Sequence, residues 1–183
     1  MKIYTKKGDK GQTQLFGGAS VFKSDLKIQT YGALDELSSV LGLVRAQEGL
    51  QDPLKQSLLT IQDHLFRFGS ELALSAGKTL LCTPITSSET DWLEQQIDQM
   101  EKDLEPLKNF ILPGGCLVAA HLHLARTVCR RAERELVALN QLENKREDLL
   151  KYINRLSDYL FVASRFSNKA QGVLDIPWVS GRL

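Results

Sequence analysis

Leucines and other apolar residues recur at helical spacing along most of this chain. Between about Asp25 and Gln47, Leu34, Leu37, Leu41 and Val44 share one face of a 3.6-residue period and predict a first helix. Pro53 suits the opening turn of a second helix, which runs to about Ser75, because an amide lost there has no intrahelical acceptor. Ser87-Ser88-Glu89-Thr90 supplies capping residues and an early acid, and Trp92, Leu93, Ile97 and Met100 continue a third helix that Pro106 ends. A fourth, about Cys116 to Asn140, sets Leu117, Leu124, Val128, Ala132 and Leu139 on one side. A fifth, about Lys145 to Gln171, repeats this with Leu149, Ile153, Leu156, Leu160 and Ala163.

The β-type alternation is nearly absent, so the pattern predicts an all-α bundle of five helices. Gly8, Gly11, Gly17 and Gly18 crowd the start among lysines, which predicts a flexible basic arm with a short extended piece at Lys2–Thr5. A loop through Gly77 and Pro84 joins the second and third helices. Phe110-Ile111-Leu112-Pro113-Gly114-Gly115 forms a short apolar linker before the fourth. One domain over 1–183 is expected, divided into an arm (1–24), the bundle (25–171) and a tail (172–183).

Composition narrows the partners. The 183 residues carry 23 Lys+Arg against 22 Asp+Glu, a net charge of +1, which excludes bulk attraction to nucleic acid or anionic lipid. The three cysteines, Cys82, Cys116 and Cys129, are odd in number and form no C-x-x-C pair, so a reducing, cytoplasmic setting is expected. The first residues lack the apolar core of a signal peptide, and no apolar run approaches the roughly 20 residues of a membrane helix.

Local charge says more than the total. On the fourth helix Arg126, Arg130 and Glu133 share a narrow face opposite the apolar stripe, with Arg134 at its margin. Four arginines in nine residues suit either a solvated face or a phosphate site, and guanidinium forks match paired phosphate oxygens. On the fifth helix Asn154, Asp158, Phe161 and Arg165 share one face, which meets either a neighbouring helix or another subunit. On the first, Gly32, Asp35, Ser39 and Gly42 line a strip of small residues where Asp35 either is solvated or takes a cationic partner such as Arg126. His121 and His123 stand two apart and face different directions, no zincin or di-iron motif exists, and Cys129 reads as core. Phosphate-binding equipment without an obvious nucleophile or general base suits chemistry carried by a cofactor.

Five motifs in order carry a resemblance: Thr5-Lys6-Lys7-Gly8-Asp9-Lys10-Gly11-Gln12-Thr13, Gly32-Ala33-Leu34-Asp35-Glu36-Leu37-Ser38, Phe110 to Gly115, Cys129-Arg130-Arg131-Ala132-Glu133-Arg134, and Tyr152 to Phe161. Together they resemble the PduO-type ATP:corrinoid adenosyltransferase family over nearly the whole chain, with departures at Lys7 and Ser38. The resemblance implies an up-down, ferritin-like five-helix bundle assembling as a homotrimer, with ATP between adjacent subunits and Mg²⁺ between its phosphates. It implies that Thr5, Lys6, Gly8, Asp9, Lys10, Gly11, Thr13 and Lys23 wrap the triphosphate. Arg130, Glu133, Arg134 and Asn154 would hold ATP from the neighbouring subunit. Asp35 and Arg126 would pair between subunits, and Phe110 would wall the lower face of the corrin. The implied reaction moves the 5′-deoxyadenosyl group of ATP to the cobalt(I) of cobalamin or a related corrinoid. A corrinoid reductase and an adenosylcobalamin-dependent enzyme are the implied protein partners. The alternative is a helical trimer that senses nucleotide or delivers adenosylcobalamin without turnover.

Overall fold

The computed structural model describes residues 3–4, 6, 8–75, 77–143 and 146–180. Five helices dominate: α1 (Leu26–Arg45), α2 (Asp52–Leu72), α3 (Ser87–Glu101), α4 (Leu117–Glu143) and α5 (Glu147–Ala170). Asp25 caps α1 by accepting from the Lys27 amide at 2.8 Å, and Pro53 lies in the first turn of α2. Thr86 and Glu89 form a reciprocal capping box on α3, with the Thr86 amide donating to the Glu89 carboxylate at 2.8 Å. α3 stops at Glu101, short of Pro106, because the amides of Asp103 and Leu104 turn back onto Met100 and Glu101.

α4 packs against both α1 and α5, α5 also packs on α3, and α1 packs on α2. Side chains close the remaining gap between α2 and α3: Arg67 reaches Glu89 at 2.7 Å and Ser57 donates to Gln96 at 3.3 Å. The core is rich in leucine, including Leu37, Leu41, Leu58, Leu93, Leu122 and Leu156. His64 Nδ1 meets the Tyr152 hydroxyl at 3.1 Å inside it, and burial, aided by the Arg67 charge, lowers the His64 pKa and favours the neutral ring. Among the described residues no helix is long and apolar enough to cross a membrane.

Two expectations need correction. The stripe expected on α4 holds only in part: Val128, Ala132 and Leu139 are buried, but Leu117 and Leu124 are exposed, and Val118, Leu122, Ala125 and Cys129 are buried instead. Contact with α1 and α5 on α4's two flanks widens its buried arc and rotates the centre, so Arg126 is half-buried rather than opposite the core. The arm, in turn, is partly regular. Its strands β1 (Gln12–Gln14) and β2 (Ser20–Phe22) form an antiparallel hairpin, too short to show alternation in the sequence. Leu15 is buried, and Phe16 bonds to the end of α2, its amide donating to Ala73 O and its carbonyl accepting from the Ser75 amide, each at 2.9 Å. The tail also pairs: β3 (Ile111–Leu112) lies antiparallel to β4 (Ile176–Pro177). Lys2 and Thr5, the ends of the expected extended piece, and Lys145, the expected start of α5, lie outside the described residues.

Candidate functional site

The basic arm closes into a loop ahead of its hairpin. The Asp9 amide reaches Lys6 O at 3.4 Å, the Gly11 amide reaches Gly8 O at 3.2 Å, and the Lys23 amide donates to Gly11 O at 2.9 Å. A Cβ on Gly8 would stand 3.0 Å from Lys23 Nζ, so glycine admits the ammonium beside the loop backbone. Gly11, at φ +78°, makes the turn that most residues resist. Lys6, Gly8, Asp9, Lys10, Gly11, Thr13 and Lys23 therefore gather on one loop and hairpin, with the lysines exposed. Thr5, expected with them, lies outside the described residues.

A second group gathers where α3, α4 and α5 border an open cleft of about 550 Å³. Arg126 and Arg130 line it from α4, Glu94 and Asp98 from α3, and Asp158 and Phe161 from α5. Arg155 donates to Glu94 at 2.9 Å and to Asp158 at 2.7 Å, which spends two of the cleft's acids. Neither Arg126 nor Arg130 has a carboxylate in ion-pair range among the described residues. The buried Nε of Arg126 has no hydrogen-bond partner there. Burial, then the adjacent Arg130 charge, lowers the Arg126 pKa. Two cations held together, one partly desolvated, make a place where an anion is strongly favoured. Beside them Asn154 donates to Glu133 at 2.9 Å, and Arg134 Nη1 donates to Arg130 O at 3.1 Å. The expected quartet of Arg130, Glu133, Arg134 and Asn154 is thus one continuous α4–α5 surface.

Asp35 sits elsewhere. It is exposed on α1 at the rim of a largely apolar hollow of about 460 Å³, with Tyr31, Leu34, Phe66 and Leu81 in its walls. Within one chain Asp35 and Arg126 line different hollows and are not brought together. Phe110 is 82% exposed, and its carbonyl accepts from the Trp178 amide at 2.7 Å. Leu112, Ile176 and Trp178 are exposed near it, so β3 and β4 present an apolar ledge.

The face expected on α5 divides. Asp158 and Phe161 line the cleft and Asn154 bonds to Glu133, but Arg165 is buried and faces the tail. Nothing in the local spacing shows that the chain returns over this turn of α5. Cys129 is buried as expected; its thiol donates to Ile153 O at 3.4 Å, and burial raises its pKa far above the reactive range. His123 bonds to Ser164 at 3.1 Å, and among the described residues no three His, Cys, Asp or Glu side chains gather to hold a metal.

The family model described as cobalamin adenosyltransferase matches residues 3–167. The chain is 45% identical to the corrinoid adenosyltransferase of Bacillus subtilis, across 97% of this chain and 92% of that protein. It is 44% identical to the cobalamin adenosyltransferase of Cupriavidus metallidurans, across 97% and 94%. Among solved structures it is similar to a PduO-type ATP:corrinoid adenosyltransferase from Lactobacillus reuteri, a Phe→Ala variant complexed with cobalamin and ATP. The TM-score is 0.89, with 39% identity over 97% of this chain and 99% of that one. An arginine pair without a counter-anion, a lysine–glycine loop and a match along nearly the whole chain agree: this chain belongs to the cobalamin adenosyltransferase family.

Proposed function

We propose that this chain is an ATP:corrinoid adenosyltransferase, joining the 5′ carbon of ATP to cobalt(I) of a corrinoid and releasing triphosphate. One observation carries the reading: Arg126 and Arg130 stand side by side in an open cleft, and neither forms an ion pair among the described residues. The family membership and the Lactobacillus reuteri complex with cobalamin and ATP support it.

The substrate cobalt(I) is the nucleophile. Its electron pair forms the bond to the 5′ carbon as the carbon–oxygen bond to triphosphate breaks, and the leaving group departs with that bond's electrons. The step itself needs no base from the protein. Its work is alignment, together with neutralising charge that grows on the leaving oxygen. The arm loop, with Gly8, Asp9, Lys10, Gly11, Thr13 and Lys23, binds the triphosphate, joined by Lys6 and Thr5. Arg130, Glu133, Arg134 and Asn154 hold the nucleotide from the α4–α5 surface. Magnesium, when bound, neutralises phosphate charge. With no three-ligand cluster among the described residues, the donors here suit an ion held by phosphate oxygens and water rather than by a protein cage.

The loop and the arginine cleft share no lining residue in one chain, and neither do Asp35 and Arg126. A homotrimer that sets one subunit's arm against the next subunit's α4–α5 surface completes the site and lets Asp35 pair with Arg126. Phe110, on its apolar ledge, covers one axial face of the corrin. Excluding an axial ligand from cobalt(II) raises its reduction potential and makes cobalt(I) accessible. The expected setting is cytoplasmic, with a corrinoid reductase upstream and an adenosylcobalamin-dependent enzyme downstream.

An anaerobic mixture of protein, Mg·ATP and chemically reduced cobalamin tests this reading. Adenosylcobalamin and triphosphate should appear in equal amounts. Tight ATP binding without product would instead favour a nucleotide sensor or a carrier of adenosylcobalamin.

A further inference from the structure

We infer that Arg165 and Asn168, both buried, form with the half-buried Asp175 a clamp that sets the position of Phe110, and so act as positioning residues for the corrinoid step. The inference rests on the adenosyl-transfer reading and extends it to side chains that touch neither substrate.

Phe110 needs such a device. Its ring is 82% exposed, so packing within the chain does not fix it and its backbone must. α5 supplies the anchor from below. Arg165 Nε donates to Asp175 Oδ2 at 2.9 Å, and its Nη2 donates to Glu105 O at 2.7 Å. One turn on, Asn168 Nδ2 donates to Asp175 Oδ1 at 3.0 Å and to Gly114 O at 3.2 Å, while its Oδ1 accepts from the Cys116 amide at 2.9 Å. The linker is therefore held at both ends, at Glu105 and at Gly114–Cys116, with Phe110 between them.

Asp175 also carries the tail. Just beyond it Ile176 and Pro177 pair with Leu112 and Ile111, and the Trp178 amide reaches Phe110 O at 2.7 Å. The tail thus braces the middle of the linker. Gly115 makes the approach possible: at φ +108° it has the backbone freedom, and a Cβ there would overlap the Asn168 amide.

The chemistry of the clamp argues for placement over stability. Arg165 and Asn168 are 7% and 2% exposed, and a buried ion pair commonly adds little net stability over apolar packing. What it adds is direction. Asn168 uses both amide protons and its oxygen on three separate backbone or side-chain partners, so few other arrangements of linker and tail satisfy it.

The test uses the full chain carrying Trp92→Phe, which leaves Trp178 as the sole tryptophan and a direct reporter of the tail. Acrylamide quenching of Trp178, the spectrum of ATP-bound cobalt(II)alamin and ATP affinity are measured with and without Asp175→Asn. The clamp predicts greater quenching, loss of the four-coordinate cobalt(II) signal and unchanged ATP affinity. A wall displaced by an ångström should lower kcat about 10- to 100-fold. Trp178→Pro, which removes the amide that reaches Phe110 together with the indole and leaves Arg165, Asn168 and Asp175 intact, should show the same spectral defect where Trp178→Ala, which keeps the amide, does not, even if Asp175→Asn fails to fold.

Unchanged quenching, or increased quenching with an intact cobalt(II) signal, overturns the clamp. Phe110→Ala separates the two levels. If it leaves the signal intact, the role given to Phe110 fails and the clamp's purpose fails with it. If it removes the signal while Asp175→Asn and Trp178→Pro do not, the clamp alone fails.

Discussion

Arg126 and Arg130 repel each other in a cleft where two of the lining acids, Glu94 and Asp158, are occupied by Arg155. An anion relieves that repulsion most when its charge is greatest, as on a departing triphosphate. Arg130→Ala should therefore lower turnover by about 10²–10³-fold, the cost typical of losing one donor to developing negative charge. Arg130→Lys should recover little of it, since an ammonium keeps the charge but loses the planar fork. Steady-state rates at saturating ATP check both, and near-normal turnover of Arg130→Ala would make this face ordinary solvated surface. The pair was legible in the sequence because arginine, rather than lysine, crowds one helix face. Arg165 was misread by the same method: a helical projection places it beside Asn154 and Asp158, but only the folded tail shows Asp175 meeting it. Asp35 was legible as unusual among small residues, and Arg126 was named as its partner, but within one chain the two line different hollows.

Individual helices were read best where a cap or a proline marked their ends. The capping box of Thr86 and Glu89 shows how one such signal becomes stability. Burial alone would raise the Glu89 carboxyl, but donors from Arg67 and Thr86 outweigh it and bring its pKa from an ordinary 4.5 to about 2. A carboxyl with a lowered folded-state pKa contributes stability that is whole above the unfolded value and is lost as pH falls toward the folded one. The start of α3, and with it the bond to Arg67 on α2, should weaken between about pH 4.5 and 2. Glu89→Gln should lower the melting temperature at pH 7 and flatten its dependence on pH in that window. Thr86→Ala should cost about 1 kcal/mol at pH 7 by removing the cap, and less below about pH 4.5, because its hydroxyl also donates to the Glu89 carboxylate. The phase of α4 was the weakest reading. Helical spacing fixes the period of burial, but the centre of the buried arc depends on α1 and α5, which no local window contains. The short strands escaped notice for a related reason, since two or three residues cannot display alternation.

At the scale of the molecule, the proposed function has each subunit offer one half of a site on its arm and the other half on α4 and α5. If neighbours combine these halves, two inactive chains should rescue each other. Co-assembly of a Lys10→Glu, Lys23→Glu chain with an Arg130→Ala chain leaves one site in four with both halves intact. Activity should return to about a quarter of the unaltered level, since a head-to-tail interface draws each half from a different subunit. No recovery on co-refolding, with mixed oligomers demonstrated, would place both halves in one chain. The five-helix architecture was readable from periodicity, whereas the division of the site between hollows needed coordinates. The arrangement of α5 has a further consequence, for biosynthesis. More than half of its 24 residues are buried, and it lies between α3 and α4, yet it is the last helix of the bundle to be made. Until the ribosome releases it, α3 and α4 expose the leucines it will cover, so the nascent chain passes through a long aggregation-prone interval. Premature stop codons anywhere before α5 should yield degraded protein rather than a smaller folded one.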